Sequence, residues 1–219
     1  MTKLIFPVAT FLQKLTLKIF ARWKVVGREY VPPIGSVIVV SNHQSNFDPA
    51  LISASLGRRP WFLAKHTLFK NSLSAWFLRA YGAFPVNRNG VDIKAYKWAL
   101  DIVSKGEVLV LFPEGVRSPG GLSKGKSGVA QLAIKSQLPI LPVAITGTEK
   151  LGSVLRVFNP TGNLEINIGR VFSLPEVEGK LTKEMLESFT DMIMVRIAYL
   201  LPDNYRGVYK NEFNEMDLH

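Results

Sequence analysis

Val37-Ile38-Val39-Val40-Ser41-Asn42-His43-Gln44-Ser45-Asn46-Phe47-Asp48 reads in two halves. The first four residues are apolar and mostly β-branched, as in a short buried strand. From Ser41 to Asn46 every residue is polar, so the strand ends in a loop. Asp48-Pro49 then opens a helical pattern running to Leu56, with Asp48 placed as N-cap and Pro49 at the first helical position. Strand, polar loop and helix in that order form the repeating unit of an α/β fold. His43 leaves the strand end, and Asp48 closes the loop back toward it. A histidine beside a carboxylate is the base and its orienter in a catalytic pair. The same spacing also fits a plain loop, with Asp48 only capping the helix, and the stretch by itself leaves both readings open.

Moving outward, strands and helices alternate at short intervals. Trp61 to Ala64 reads as a short buried strand ending at Lys65, and Leu68 to Tyr81 as a helix. Gly82 to Arg88 contains a strand whose Pro85 argues for a sheet edge or bulge. Val91 to Ser104 has helical spacing with Gly106 as a cap. Val108 to Phe112 is the clearest central strand; Pro139 to Ile145 and Leu164 to Ile168 are two more. A helix follows Val129, and a long one begins at Thr182 with Leu186, Phe189, Ile193, Ile197 and Leu200 on one face. The pattern predicts a single α/β domain over 31–205, with a mostly parallel or mixed central sheet flanked by helices. A polar tail is read over 206–219, and its part from Asn211 to His219 is expected to be loosely ordered.

Residues 1–30 read as a separate N-terminal amphipathic segment. On one continuous helix over 3–24, Lys14, Lys18 and Arg22 fall four apart on one face, and Ile5, Val8, Leu12, Leu15, Ile19 and Trp23 gather opposite. No charge-free apolar run reaches the roughly 20 residues that span a bilayer. Two uses fit: a helix lying in a lipid interface, with Leu12, Leu15 and Ile19 in the lipid and the basic residues on anionic headgroups, or a helix packed on the domain.

The chain has 219 residues and a formal charge of +10, with a pI near 9.8. Such a balance favours an anionic partner. There is no cysteine, which excludes disulfides, thiolate nucleophiles and cysteine-ligated zinc. The histidines are 43, 66 and 219, with no HExxH, so no metal site is expected. No nucleic-acid motif is present, and the aromatics lie in apolar runs rather than among basic residues.

Polar clusters follow three separate strands: His43 to Asp48, Arg88, and Glu114-Gly115-Val116-Arg117. In open α/β sheets ligands bind where loops leave the carboxyl ends of strands, so these clusters are expected to converge. Arg88 and Arg117 suit bidentate phosphate contact; Lys65 and Lys124 add cations for an anionic substrate. Glu114 suits either a loop organiser or a substrate contact, and backbone amides near Gly115 are candidates for stabilising an oxyanion. Gly120-Gly121-Leu122-Ser123-Lys124-Gly125-Lys126-Ser127 matches the phosphate-loop pattern literally. That pattern needs a strand ending at its first glycine, and here Pro113 to Pro119 intervene. A nucleotide-binding loop at Lys126 therefore stays the rival reading from another class.

Taken together, the chain resembles the glycerolipid acyltransferase family, which includes the lysophosphatidic acid acyltransferases. Asn42 to Asp48 is similar to its N-H-x4-D block, and Gly82 to Arg88 to its second. Phe112-Pro113-Glu114-Gly115-Val116-Arg117-Ser118 resembles the third, usually F-P-E-G-T-R-S, with Val116 departing. Leu138 to Val143 resembles the fourth. The resemblance covers about residues 35–150. It implies that His43 is the general base supported by Asp48, and that Arg88, Glu114 and Arg117 bind the acceptor phosphate. It implies transfer of a fatty acyl group from a thioester, acyl-CoA or acyl-carrier protein, to the hydroxyl of lysophosphatidic acid. Glycerol-3-phosphate or another lyso-lipid is the alternative acceptor. No cofactor beyond the thioester co-substrate is implied. An acceptor held in a bilayer implies a peripheral enzyme on the cytoplasmic face of a membrane, meeting anionic phospholipid.

Overall fold

The structure, a computed structural model, describes residues 4–88 and 90–212. Residues 213–219 of the expected tail, His219 among them, lie outside the described residues. Six α-helices are described: α1 (Ile5–Phe20), α2 (Asp48–Leu56), α3 (Ser72–Tyr81), α4 (Ile93–Ser104), α5 (Gly128–Ser136) and α6 (Lys183–Tyr199). The strands are β1 (Ala21–Val26), β2 (Val37–Ser41), β3 (Pro60–Lys65), β4 (Ala83–Val86), β5 (Val108–Leu111), β6 (Ile140–Thr146) and β7 (Gly162–Ile168).

The strands form one sheet in the order β1-β7-β6-β2-β5-β3-β4. β6, β2, β5, β3 and β4 are mutually parallel. β7 runs antiparallel to β6, and β1 parallel to β7. The expected single α/β domain with a mixed sheet is what forms. β2 is buried along its whole length, because crossover helices cover both faces of a central parallel strand and both side-chain rows must then be apolar. Ile38, Val40 and Leu109 face the α4, α5 and α6 layer. Val37, Val39 and Val110 face a second core with Leu51, Ile52 and Leu164.

α2 is buried from Leu51 to Leu56. It has no polar face because α1 lies across it on the side away from the sheet, touching α3 as well. Stacking of Phe6 against Tyr81, with ring centroids 5.3 Å apart, ties α1 to α3. Burial pushes the Tyr81 hydroxyl pKa above its ordinary value.

The N-terminal segment differs from the single helix expected over 3–24. α1 stops at Phe20, and the next six residues form edge strand β1, in register with β7 from Ala21↔Gly162 to Val26↔Asn167. Its exposure alternates residue by residue, a period of two that local helical spacing obscures. Arg22 is therefore a strand residue, not a fourth-residue partner of Lys18 on a helix. Trp23 turns inward and donates to Ser55 Oγ at 3.2 Å. Lys18 and Arg22 still meet across the α1–β1 junction, lining a cleft with Lys24.

The face of α1 turned to the domain is Thr10, Gln13 and Leu17. Leu4, Val8, Phe11, Leu12, Leu15 and Ile19 point outward, each at least 44 % exposed. The expected helix over 68–81 is also broken. A 3₁₀ turn (His66–Phe69) precedes α3, whose N-cap Asn71 accepts from the Leu73 and Ser74 amides and so restarts the helix.

Candidate active site

β2 ends beyond Ser41, and the next residue fixes where the loop goes. The Asn42 side chain donates to the Ile145 carbonyl at 2.8 Å and accepts from its amide at 2.7 Å. It therefore extends the sheet by one rung onto β6. His43 follows, with both main-chain groups held: its amide donates to Glu114 Oε1 at 2.8 Å, and its carbonyl accepts from the Ser118 amide at 2.7 Å. The ring stacks on Phe112 with centroids 4.1 Å apart.

Asp48 is fully buried and lies at the first helical position, with Phe47 as N-cap. It was expected to cap α2, yet its carboxylate turns away from the helix. Oδ2 accepts from His43 Nδ1 at 2.8 Å, the Gln44 amide at 2.7 Å and the Ser45 amide at 2.8 Å. Oδ1 accepts from Thr148 Oγ1 at 2.6 Å. These bonds set the Asp48 carboxylate against the His43 ring and the loop amides, with no cap bond to the helix. An ionised carboxylate only accepts, so Nδ1 carries the proton and Nε2 is the basic nitrogen. Thr148 is a positioning residue that sequence reasoning missed; the signal was Gly147-Thr148 directly after a strand end, where functional polar residues gather.

Glu114 is buried and ties two loops together. Besides the His43 amide, it takes the Ser123 amide and hydroxyl on Oε2, both at 2.9 Å. Of the two uses left open for this carboxylate, loop organiser is the one its contacts display. The Gly115 amide donates to the Phe112 carbonyl at 3.0 Å, so this one of the amides offered as oxyanion donors is engaged in the turn. Gly115 has φ +70°, and its α-carbon lies under the Lys126 side chain: a Cβ there would sit 3.1 Å from Nζ.

Arg88 reaches across from the end of β4 and donates to the Gly115 carbonyl at 2.7 Å. Partial burial, and then the like charge of Arg117, lower the Arg88 pKa from its ordinary value. Two guanidiniums close enough to repel are relieved by an anion between them. Arg88 and Lys126 thus meet at Gly115, with Arg117 two residues along the same turn. Lys126 was expected only as part of a nucleotide loop or as an auxiliary cation. Lys65 closes β3 in register with Val86, two residues before Arg88, and is exposed; so is Lys124.

The 120–127 loop is not a phosphate cradle. Its amides already donate within the protein: Gly120 to Gln44 Oε1, Ser123 to Glu114, and Gly125 to the Tyr209 hydroxyl. Leu122 donates to the Tyr205 carbonyl and Lys126 to the Pro113 carbonyl. A phosphate-binding loop needs these groups turned to the anion. β5 ends at Leu111, nine residues before Gly120.

A histidine braced by a buried carboxylate, facing a cluster of cations at the carboxyl edge of the sheet, agrees with what comparison with known proteins returns. The sequence model of the family described as Acyltransferase matches residues 22–146. The chain belongs to this acyltransferase family. A 1-acyl-sn-glycerol-3-phosphate acyltransferase of Streptococcus pneumoniae is 27% identical over 165 residues, covering 74% of this chain and 60% of that protein. The Bacillus subtilis protein of the same name is 25% identical over 85% of this chain and 92% of its own length. The crystal structure of the 1-acyl-sn-glycerophosphate (LPA) acyltransferase PlsC from Thermotoga maritima superposes with a TM-score of 0.66 at 27% identity, covering 85% of this chain and 76% of that one. The family match begins inside β1 and ends at the last residue of β6, so it takes in the His43 loop, Arg88 and the Glu114 turn together.

Proposed function

We propose that the protein transfers a fatty acyl group from an acyl thioester to the free hydroxyl of lysophosphatidic acid, giving phosphatidic acid. The observation that carries this is the His43–Asp48 pair, tied through Glu114 to the turn where Arg88 is held at the Gly115 carbonyl: a base beside cations that suit a phosphate. The names of the relatives support it. The acceptor phosphate sits against Arg88, Arg117 and Lys126, which brings its hydroxyl to His43 Nε2. Nε2 takes the hydroxyl proton as the oxygen attacks the thioester carbonyl, and Asp48 stabilises the imidazolium. The tetrahedral adduct expels the thiolate, which recovers the proton from Nε2. The acceptor supplies its own nucleophile, so the chain needs none.

The test is acyl transfer to lysophosphatidic acid with acyl-CoA and acyl-carrier protein in parallel, and glycerol-3-phosphate as the competing acceptor. Turnover with glycerol-3-phosphate alone would move the acceptor to the smaller substrate. Magnesium-dependent ATP binding lost on Lys126→Ala, with no acyl transfer, would overturn the reading. Arg88→Ala and Arg117→Ala are each expected to raise the acceptor KM about 10–100-fold, since a charged hydrogen bond contributes about 1.5–3 kcal/mol. Thioester KM stays unchanged. If kcat fell and acceptor KM did not move, the arginines would have another role.

The acceptor is a membrane lipid, and the outward face of α1 supports docking at a membrane surface. A helix packed through Thr10, Gln13 and Leu17, with Phe11, Leu12, Leu15 and Ile19 turned out, is largely inverted relative to a surface helix in water. Leu73, Trp76 and Phe77 on α3 are also more than 40 % exposed and continue this apolar surface. No helix among the described residues is long and apolar enough to cross a membrane; on this reading attachment is peripheral, and the anionic surface is that of the cytoplasmic leaflet. The combined Leu12→Gln, Leu15→Gln and Ile19→Gln variant should bind vesicles on the order of a hundred-fold more weakly, at roughly 1 kcal/mol per side chain. Its melting temperature should hold. Unchanged pelleting with anionic vesicles would remove α1 from the interface.

A further inference from the structure

A cleft of about 640 Å³ runs along the flank of α3, lined by Arg59, Phe69, Lys70, Ser72, Trp76 and Arg79 among others, with no acidic residue. Its two arginines lie over aromatic rings. The Arg59 guanidinium lies 4.6 Å from the Trp61 ring centroid and 5.1 Å from that of Phe6, and donates to the Ala80 carbonyl at 3.0 Å. The Arg79 guanidinium lies 5.5 Å from the Phe69 ring centroid. Among the described residues no ion pair engages Arg59, Lys70 or Arg79. Uncompensated cations repel, and gathering three of them without a carboxylate is stabilised by an anion from outside.

The cleft shares no lining residue with the His43, Arg88 and Glu114 cluster; Lys70 and Ser72 lie on the segment that leaves β3 at the carboxyl edge, and the Arg59 end lies at the opposite edge. Arg59 precedes β3, whose Pro60 is level with Val108 and so with Val37. That is the edge where the parallel strands begin, roughly 20 Å from the edge carrying His43. Its surroundings are those of a lipid. The outward apolar residues of α1 adjoin it through Phe6, and Leu73 and Phe77 of α3 are exposed beside Trp76. Cationic walls next to an apolar surface match a molecule with an anionic head and acyl tails.

We propose that this cleft is a second, non-catalytic site for the phosphate of an anionic phospholipid in the surface on which the protein docks. Arg59 and Arg79, pre-oriented by their rings, bond the phosphate oxygens; Lys70 adds a point charge and Ser72 a hydroxyl; Trp76 meets the upper part of the acyl chains. The proposal rests on the reading of α1 as a membrane-docking helix. It makes attachment depend on anionic lipid at a defined place, in addition to the diffuse attraction of a basic protein.

The experiment compares binding of the whole chain to phosphatidylcholine vesicles with and without phosphatidylglycerol. Lys70→Gln/Arg79→Gln removes two exposed charges of the cleft. Lys97→Gln/Lys135→Gln removes two exposed charges from α4 and α5, on the other layer. We expect phosphatidylglycerol to tighten binding of the native chain about tenfold or more. The cleft variant should lose that gain and the control variant should keep it, with all three melting alike and transferring acyl groups equally in detergent. Equal losses in both variants would reduce the effect to net charge and overturn the site. Native binding to neutral vesicles with no response to phosphatidylglycerol would overturn the site while leaving α1 docking intact. Failure to bind either vesicle would overturn both. A third arm adds inorganic phosphate without lipid. If it raised the native melting temperature and not the cleft variant's, while vesicle binding of the two stayed equal, the ligand would be a soluble anion and the lipid assignment would fall.

Discussion

His43→Ala is expected to lower kcat by about 10²–10⁴-fold, the usual contribution of a positioned base, equal to roughly 3–5 kcal/mol of barrier. Acceptor and thioester KM should change little, because Arg88, Arg117 and Lys126 are untouched. The protein should remain folded. Removing the ring takes one of three donors from Asp48 Oδ2, but the Gln44 and Ser45 amides stay, and Thr148 still holds Oδ1. The His43 main-chain bonds to Glu114 and Ser118 do not depend on the side chain. What is lost is the stacking on Phe112, roughly 1 kcal/mol, and one of the bonds to Asp48, about 1.5–3 kcal/mol, together about 5–16 °C in melting temperature for a chain of this size. Steady-state kinetics beside a thermal melt checks both halves. Activity within threefold of the native protein would show that His43 is not the base.

Glu114→Ala should unsettle the protein as well as stop it. The buried carboxylate accepts the His43 amide on one oxygen and the Ser123 amide and hydroxyl on the other. Alanine leaves these donors facing a small void in a buried place, where each unsatisfied group costs about 1–3 kcal/mol. The expected loss is about 3 kcal/mol or more, a fall of roughly 6–12 °C. Activity should drop with it, since the loop carrying Arg117 and Lys126 loses its tie to the loop carrying His43. Glu114→Gln keeps one acceptor oxygen and the shape, and should recover part of the stability. If Glu114→Ala melted like the native chain and only acceptor KM rose, the carboxylate would be a substrate contact rather than the tie between loops.

The sheet and its helices were legible because their signals are local. Val37–Val40 and Val108–Leu111 are continuous apolar runs, and Thr182 caps α6 as its position suggests, accepting from the Met185 amide. The His43–Asp48 pair was legible for the same reason: both partners sit in one loop. β1 was missed because its evidence lies far away. Ala21 to Val26 become a strand only against β7, and six residues continuing from a helix carry too few periods to separate two from 3.6. The turned-out face of α1 was seen as apolar, but which face meets the domain depends on α2 and α3, which the segment's own sequence does not contain. Thr148 and the placement of Lys126 over Gly115 were hidden likewise; each acts across the sheet edge from a loop whose path tertiary contacts set. The phosphate-loop match misled because a pattern of residue types does not record where the amides point.

The pairing of β1 with β7 has a consequence for the order of events during synthesis. Ala21 and its partner Gly162 are 141 residues apart. At about 5–20 residues per second, a ribosome takes roughly 7–28 s to make the second strand after the first. Throughout that interval β1 has no strand to join, and the apolar side chains that α1 turns outward are free in the nascent chain. Helix formation takes about a microsecond. A nearby bilayer would therefore receive α1 long before the sheet closes. The catalytic edge would then be built in place at the membrane, with the last steps of folding taken by a chain already tethered there.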